Sequence, residues 1–346
     1  MRFYTGQHKY YCGVDLHART LYLCVLDDKG TIRLHTRLPC EPRRFLEALE
    51  PYRSDVVIGC ECIFCWYWLA DLCAGEAIPF VLGHALYMKA IHAGKAKNDK
   101  IDSHKAATLL RGGAFPVAFV YPPEMRPTRD LLRRRLFFAR KRGKLFGHIR
   151  STFQQHNLPA PTGQLRYNKH RIGLADAFSD PVLRCAIEAD LALAERYDVV
   201  IRELEHTIEA RAQVHDPEAL ELLRTIPGVG KILALTILYE VHHIARFASV
   251  QDFSSYARLV KSEHRSAGKR TGSGGAKIGN AHLKWAFSEA AVLFLKGNPR
   301  GQAHLKRLQR KHGKGKGLSI LAARLGRSVY FMLKNQEAFD MDRFYS

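Results

Sequence analysis

Residues 9–38, KYYCGVDLHARTLYLCVLDDKGTIRLHTRL, read as three consecutive strands. KYYCGVD (9–15), TLYLCVLD (20–27) and TIRLHTRL (31–38) are each short and rich in β-formers, and the turn DDKG joins the second to the third as a hairpin. Downstream, PRRFLEALEPY (42–52) places Phe45, Leu46 and Leu49 on one helical face. SDVVIGCE (54–61) reads as a fourth strand, WYWLADLCAG (66–75) as a helix and IPFVLG (78–83) as a fifth strand.

A three-strand meander followed by alternating helix and strand predicts an RNase H-like α/β domain, because a flavodoxin-like sheet alternates from its first strand. With 346 residues, 47% of them hydrophobic, the chain has room for two or three domains. Lys and Arg number 54 against 33 Asp and Glu, a net charge of +21. Such a field attracts a polyanion, and nucleic acid is the usual one. The eight cysteines (12, 24, 40, 60, 62, 65, 73 and 185) fall mostly in apolar text and no signal peptide precedes Tyr10, which reads as reduced thiols in a cytoplasmic protein. Cys62 and Cys65 have zinc-like spacing but no second Cys/His pair close behind, so buried structural cysteines are expected. No uncharged apolar run reaches eighteen residues, so no membrane span is expected.

Beyond the first domain the charge is uneven. RPTRDLLRRRLFFARKRGKLFGHIR (126–150) carries ten Lys/Arg and one acid with apolar residues interleaved, so its arginines can face phosphates; Arg133, Arg134, Arg140, Lys141 and Arg142 are the candidates. Residues 151–172 read as a linker or insertion, and between Asp176 and Glu221 the balance inverts to twelve acids against four arginines. There Ile187, Leu191, Ala194, Tyr197, Ile201, Leu204 and Ile208 form a near-heptad stripe, which suits pairing with another subunit or burial in the same chain. LLRTIPGVGKILALTILYEV (222–241) has the pattern of a helix-hairpin-helix, in which Gly228, Gly230 and Lys231 could approach a phosphate. KRLQRKHGKGKG (306–317) reads as a flexible phosphate-contacting loop.

Against this basic background stand four acids. Asp15 closes the first strand and Glu61 the fourth, neighbours in an RNase H-like sheet, while Asp99 and Asp102, in KAKNDKIDSHKAATLL (95–110), share a helical face. Taken singly, each has a plain alternative: a strand-end turn for Asp15, a surface acid for Glu61, a helix cap for Asp99. Together, converging carboxylates repel unless a divalent cation neutralises them, and two Mg2+ ions about 4 Å apart are the common arrangement for activating a phosphodiester.

GVDLH, GCEC, KNDKIDSHKAATLL, TIPGVG and EHRSAGKRTGSGGAKIGNAHLKWAFSEAA, in this order, resemble the DEDD transposases of bacterial insertion-sequence family 110, the bridge-RNA-guided recombinases. The resemblance implies a RuvC-like DEDD domain over 1–150, a linker and helical or coiled-coil segment over 151–218, and a mainly α-helical transposase domain over 219–346. It implies Asp15, Glu61, Asp99 and Asp102 as metal ligands for Mg2+, with Mn2+ as a substitute, and Ser266 as a nucleophile that forms a covalent phosphoserine with DNA. Arg265, Lys269, Lys277 and Asn280 would bind phosphate beside it. Glu61 is followed here by Cys-Ile-Phe-Cys where the family has small residues and Gly, Lys261 stands where a Pro is usual and Ala267 where a Gly is; Ser262 and Ser273 are the other hydroxyls of the loop. The implied partners are double-stranded donor and target DNA, a structured guide RNA, and further copies of the chain in a dimer or tetramer. Two other readings fit the same residues: a RuvC-like nuclease using metal-activated water, and a non-catalytic nucleic-acid-binding protein.

Overall fold

The computed structural model describes residues 2–91, 98–212, 214–260, 264–266, 268–272 and 278–345, with only the backbone described at 89–91, 264, 265 and 270. The chain divides into two units, Met1–Glu124 and Met125–Ser346.

In the first unit β1 (Phe3–Tyr4) precedes the meander β2 (Tyr10–Leu16), β3 (Thr20–Asp27) and β4 (Ile32–Pro39). There follow α1 (Pro42–Leu49), β5 (Val56–Glu61), α2 (Tyr67–Gly75), β6 (Phe80–Gly83), α3 (Ala85–Ile91), α4 (Asp99–Arg111) and β7 (Phe115–Pro116), which pairs with β1. The five-stranded sheet has the order β4-β3-β2-β5-β6, antiparallel through the meander and parallel from β2 to β6. This mixed α/β sheet is the expected RNase H-like class, with the helical unit following it. Alternation along each strand divides two cores. Cys12, Val14, Leu16, Val56, Ile58 and Cys60 face α1 and α2, while Tyr11, Val57 and Val81 face α4 and Phe115. Each fully buried side chain of this size contributes roughly 1.5–3 kcal/mol.

The second unit begins with α5 (Arg126–Gln155), so the basic helix packs with the helical region and the division falls at 124 rather than at the expected 150. The physical reason is its apolar face: Leu132 joins the core built on α8, and Phe146, Ile149 and Phe153 pack with Ile187 and Ala194 of α6 (Pro181–Arg211). The near-heptad stripe of α6 is therefore covered within this chain, with Ile187, Ala194, Ile201 and Ile208 buried. Residues 151–172 do more than link, since Leu165 and Phe153 are buried in the same cluster.

After α6 come α7 (Pro217–Arg224) and α8 (Lys231–Val241), the expected helical hairpin, then α9 (Val250–Tyr256), β8 (His264–Ser266) and β9 (Lys269–Gly272). α10 (Ala281–Leu293), α11 (Pro299–His312), α12 (Lys314–Asn335) and α13 (Met341–Tyr345) complete the chain. Helix α8 is buried along almost its whole length at the centre of the unit. The stretch 306–317 is helix rather than flexible loop. Gly313, at φ +85°, makes the break between α11 and α12, and a Cβ on Gly317 would lie 3.1 Å from the Gln309 backbone nitrogen, so that glycine permits the two helices to cross closely.

All eight cysteines are free thiols; Cys12, Cys24, Cys60 and Cys73 are buried, but Cys62 and Cys185 are exposed, so burial accounts for only part of the set. No helix among the described residues is long and apolar enough to cross a membrane.

Candidate active site

The acidic site is built by two glycines. Gly13 of β2 and Gly59 of β5 are register partners, and each lies two residues before a carboxylate, Gly-Val-Asp15 and Gly-Cys-Glu61. A Cβ on Gly13 would meet the Ala107 nitrogen and the Ser103 oxygen of α4 at 2.2 Å, and one on Gly59 would meet Leu110 at 2.4 Å. Helix α4 therefore lies directly on this face of the sheet, and alternation puts Asp15 and Glu61 on the same face at the strand ends.

Asn98 caps α4 by accepting from the Ile101 N–H at 2.8 Å, which leaves Asp99 as the first helical residue with its carboxylate free of capping. Asp15 Oδ2 and Asp99 Oδ1 each lie 3.4 Å from His17 Nε2. The three ligand-capable atoms are all within 4.8 Å of one another. Asp102, one turn on, has Lys105 Nζ at 3.6 Å. Burial raises the Asp15 carboxyl above its usual value; His17 pulls it down, and Asp99 and Asp102 push it further up. The like-charge repulsion expected from the sequence is thus present between β2 and α4. Glu61 is half-buried at the adjoining strand end, opposite Gly83 of β6.

His17 was not among the sequence candidates. Its signal was available in GVDLH, where position i+2 of a strand shares a face with Asp15. Carboxylate oxygens suit a hard divalent cation, and one imidazole nitrogen adds a ligand that Mn2+ accepts readily, so the donor set fits the expected metal.

Ser266 lies in the second unit, exposed at the end of β8, where its register partner across the hairpin is the exposed Lys269. Gly268, at φ +75°, supports the turn between them. Ser262, Ser273 and Lys277 lie outside the described residues, as does the side chain of Arg265.

The Gly-Asn that follows this segment is an anchor. Gly279, at φ +94°, would place a Cβ 2.5 Å from the Tyr256 carbonyl oxygen. Asn280 is buried and caps α10, its Oδ1 accepting from the N–H groups of His282 (2.9 Å) and Leu283 (3.0 Å). Its Nδ2 donates to Glu240 Oε2 at 2.7 Å and to the Tyr256 hydroxyl at 3.2 Å. Asn280 is therefore placed as a helix cap rather than on an open phosphate-binding face. Glu240, 2% exposed, also accepts from Arg129 (3.1 Å) and twice from Arg133 (2.6 and 2.9 Å). Burial alone would raise its carboxyl, but the hydrogen bond from Arg133 and the charges of Arg129 and Arg133 bring it down to about 2.

The other basic candidates divide. Arg133 is engaged by Glu240, and Arg142 donates to Asp198 of α6. Arg134, Arg140 and Lys141 remain exposed, with Arg134 and Lys141 flanking the exposed ring of Phe137. In the α7–α8 turn Gly228, at φ +84°, is required by the Leu293 backbone, which a Cβ would meet at 2.6 Å. Gly230 opens α8 into free space, and Lys231 Nζ stands 3.7 Å from Glu209.

Residues 12–158, from β2 through α5, match the family model of the IS110-type DEDD transposases. Residues 220–306, which include Ser266, match that of the transposase IS116/IS110/IS902 family. The transposase for insertion sequence element IS1111A of Coxiella burnetii (strain RSA 493 / Nine Mile phase I) is 23% identical over 339 residues, covering 94% of this chain and 90% of its own length.

Proposed function

This chain belongs to the IS110-type DEDD transposases, and from that premise we propose that it cuts and rejoins double-stranded DNA at insertion-sequence ends, with the acidic site and Ser266 as its two chemical parts. The observation that carries this reading is the convergence of Asp15 and Asp99 on His17 within 4.8 Å, beside Asp102 and at the strand end shared with Glu61.

Asp15, Glu61, Asp99 and Asp102 hold the divalent ions, two Mg2+ or Mn2+ in their place, and His17 is an added donor. Bound there, the cations supply positive charge against that developing on the phosphoryl oxygens. Ser266 Oγ attacks the scissile phosphorus: a serine O–P bond forms, the P–O bond to the leaving DNA oxygen breaks, the serine proton departs to solvent and the leaving oxygen takes one up. Lys269, opposite Ser266 in the hairpin, is in register to balance phosphate charge. Attack by a second DNA hydroxyl on the phosphoserine restores a phosphodiester, so the number of such bonds is conserved and no nucleotide triphosphate is consumed. By family resemblance, the reading includes a dimer or tetramer in which one subunit's acids serve another's serine. Target choice by a structured guide RNA completes it, with the protein reading backbone and shape.

The test is covalent trapping on supercoiled DNA with Mg2+. Wild-type protein is expected to yield a phosphoserine adduct at Ser266, and both Ser266→Ala and Asp99→Asn to yield none while still binding DNA. An adduct persisting in Ser266→Ala overturns the serine assignment. A second reading, hydrolysis by metal-activated water, draws on the presence of the whole carboxylate set in the first unit. Strand cleavage surviving in Ser266→Ala, without adduct, would establish it.

A further inference from the structure

A cavity of about 610 Å³ opens between α12 and the segment 337–344. Arg324, Arg327 and Phe331 of α12 face Phe339 and Phe344 across it. The Arg327 guanidinium sits 5.2 Å over the Phe331 ring, and that of Arg324 5.3 Å over Phe344. Guanidinium groups seated on aromatic rings keep N–H donors available for oxygen acceptors.

Neither arginine meets a carboxylate among the described residues. Of the two acids in the wall, Glu337 is paired with Arg343 at 3.0 Å, and Asp340 accepts from the backbone N–H groups of Asp342 and Arg343. The positive charge is felt nearby: burial and then Arg324 and Arg307 hold the buried His304 below its ordinary value. The same helix extends the charge beyond the cavity. Lys316, Arg327 and Lys334 recur at eleven and seven residues, close to whole turns, so they share a face, and all three are exposed. Between residues 299 and 335 there are ten Lys/Arg and no acid.

We propose that this cavity binds one unpaired nucleotide of a nucleic-acid strand, with Arg324 and Arg327 on the phosphate and the base against the partly exposed side chains of Phe331 and Phe339. The volume is that of a small-ligand pocket. Only an unpaired base exposes a face to stack, since in a duplex both faces are covered by neighbouring pairs. A DNA strand displaced during exchange and a loop of structured RNA present the same chemistry. The inference rests on nucleic acid as the substrate and not on the serine mechanism, so the two fail separately.

The test uses the full chain and twelve-nucleotide single strands, DNA or RNA, carrying 5-iodouracil. Crosslinks in wild-type protein are expected in the peptides containing Phe331 or Phe339, and the strand that crosslinks more strongly names the source. Arg324→Gln with Arg327→Gln should weaken single-strand binding about tenfold and reduce the slope of log affinity against log salt by about 1.4, with duplex binding changed less than twofold. Phe331→Leu, which keeps most of the core volume, should lose the crosslink while keeping that slope. Crosslinks confined to other helices overturn the proposal, as does equal loss of duplex and single-strand binding, the mark of a diffuse basic surface. Unchanged single-strand affinity with lost self-association would assign the cavity to a protein contact and also overturn it.

Discussion

In the α5–α6 hairpin, arginines find acids within the chain: Arg135 meets Glu205 and Arg142 meets Asp198, while Arg129 and Arg133 close on Glu240 of α8. In the α11–α12 hairpin, ten Lys/Arg occur without one acid, and among the described residues only Arg300 reaches a carboxylate, Asp342 at 2.7 Å. Taken alone, α5 looks like the α11–α12 stretch in composition, with ten Lys/Arg and one acid against ten and none. The difference teaches that positive charge marks a phosphate-binding surface only after the chain's own acids have been matched to it. In the acidic α6, so unlike the rest of the sequence, Asp198 and Glu205 are counter-charges of α5.

The largest effect should come where the pairing is most buried. Glu240→Gln leaves Arg129 and Arg133 without their anion, and the expected cost is roughly 3–5 kcal/mol in urea unfolding. The pH dependence has a definite sign. The folded Glu240 carboxyl titrates near 2, below its unfolded value of about 4.3, so its contribution is present above the unfolded value and is lost as pH falls from there through about 2. Wild type should therefore lose about 3 kcal/mol more than Glu240→Gln across that window. Parallel acid titration curves for the two proteins would show that Glu240 is not the ion-paired group described here.

At the other pole, Lys306, Arg307, Arg310 and Lys311 of α11 are exposed and, among the described residues, unopposed by carboxylates. Changing all four to Gln should move stability little, within about 0.5 kcal/mol for each, because no partner is left unpaired. If duplex DNA lies on α11, the slope of log affinity against log salt should fall by about 3–4, measured by fluorescence anisotropy. An unchanged slope would break the contrast between the hairpins, since α11 would then be basic without contacting phosphate.

The same contrast explains what the sequence disclosed. The sheet was legible because period-two alternation and turn residues are local, and the carboxylates were legible because they close strands or open a helix. The arginine partners were not, because Glu240 lies 107 residues from Arg133 and Asp198 lies 56 from Arg142. Asn280 shows the same limit: a cap and a phosphate ligand use the same amide, and only its burial beside Glu240 separates them. The glycines of HGKGKG suggested a loop, but Gly317 serves a helix crossing. Gly13 and Gly59 were readable in principle, since Gly-x-acid occurs at both strand ends, yet their role depends on α4 descending onto them.

The smallest effect tests whether α5 and α6 are paired or merely adjacent. Arg135 donates to Glu205 through Nε at 2.8 Å and through Nη2, and both side chains are partly solvent-exposed. Such a pair should couple by about 0.5–1 kcal/mol in a double-mutant cycle of Arg135→Gln and Glu205→Gln, and the coupling should shrink in high salt. Exchanging the two charges, Arg135→Glu with Glu205→Arg, should recover most of the stability lost in either single reversal. Zero coupling with equal losses in both single variants would mean that the apolar seam alone holds the hairpin. Glu205 would then lower the field of α5 without fixing Arg135, and Arg135 would join the set available for phosphate.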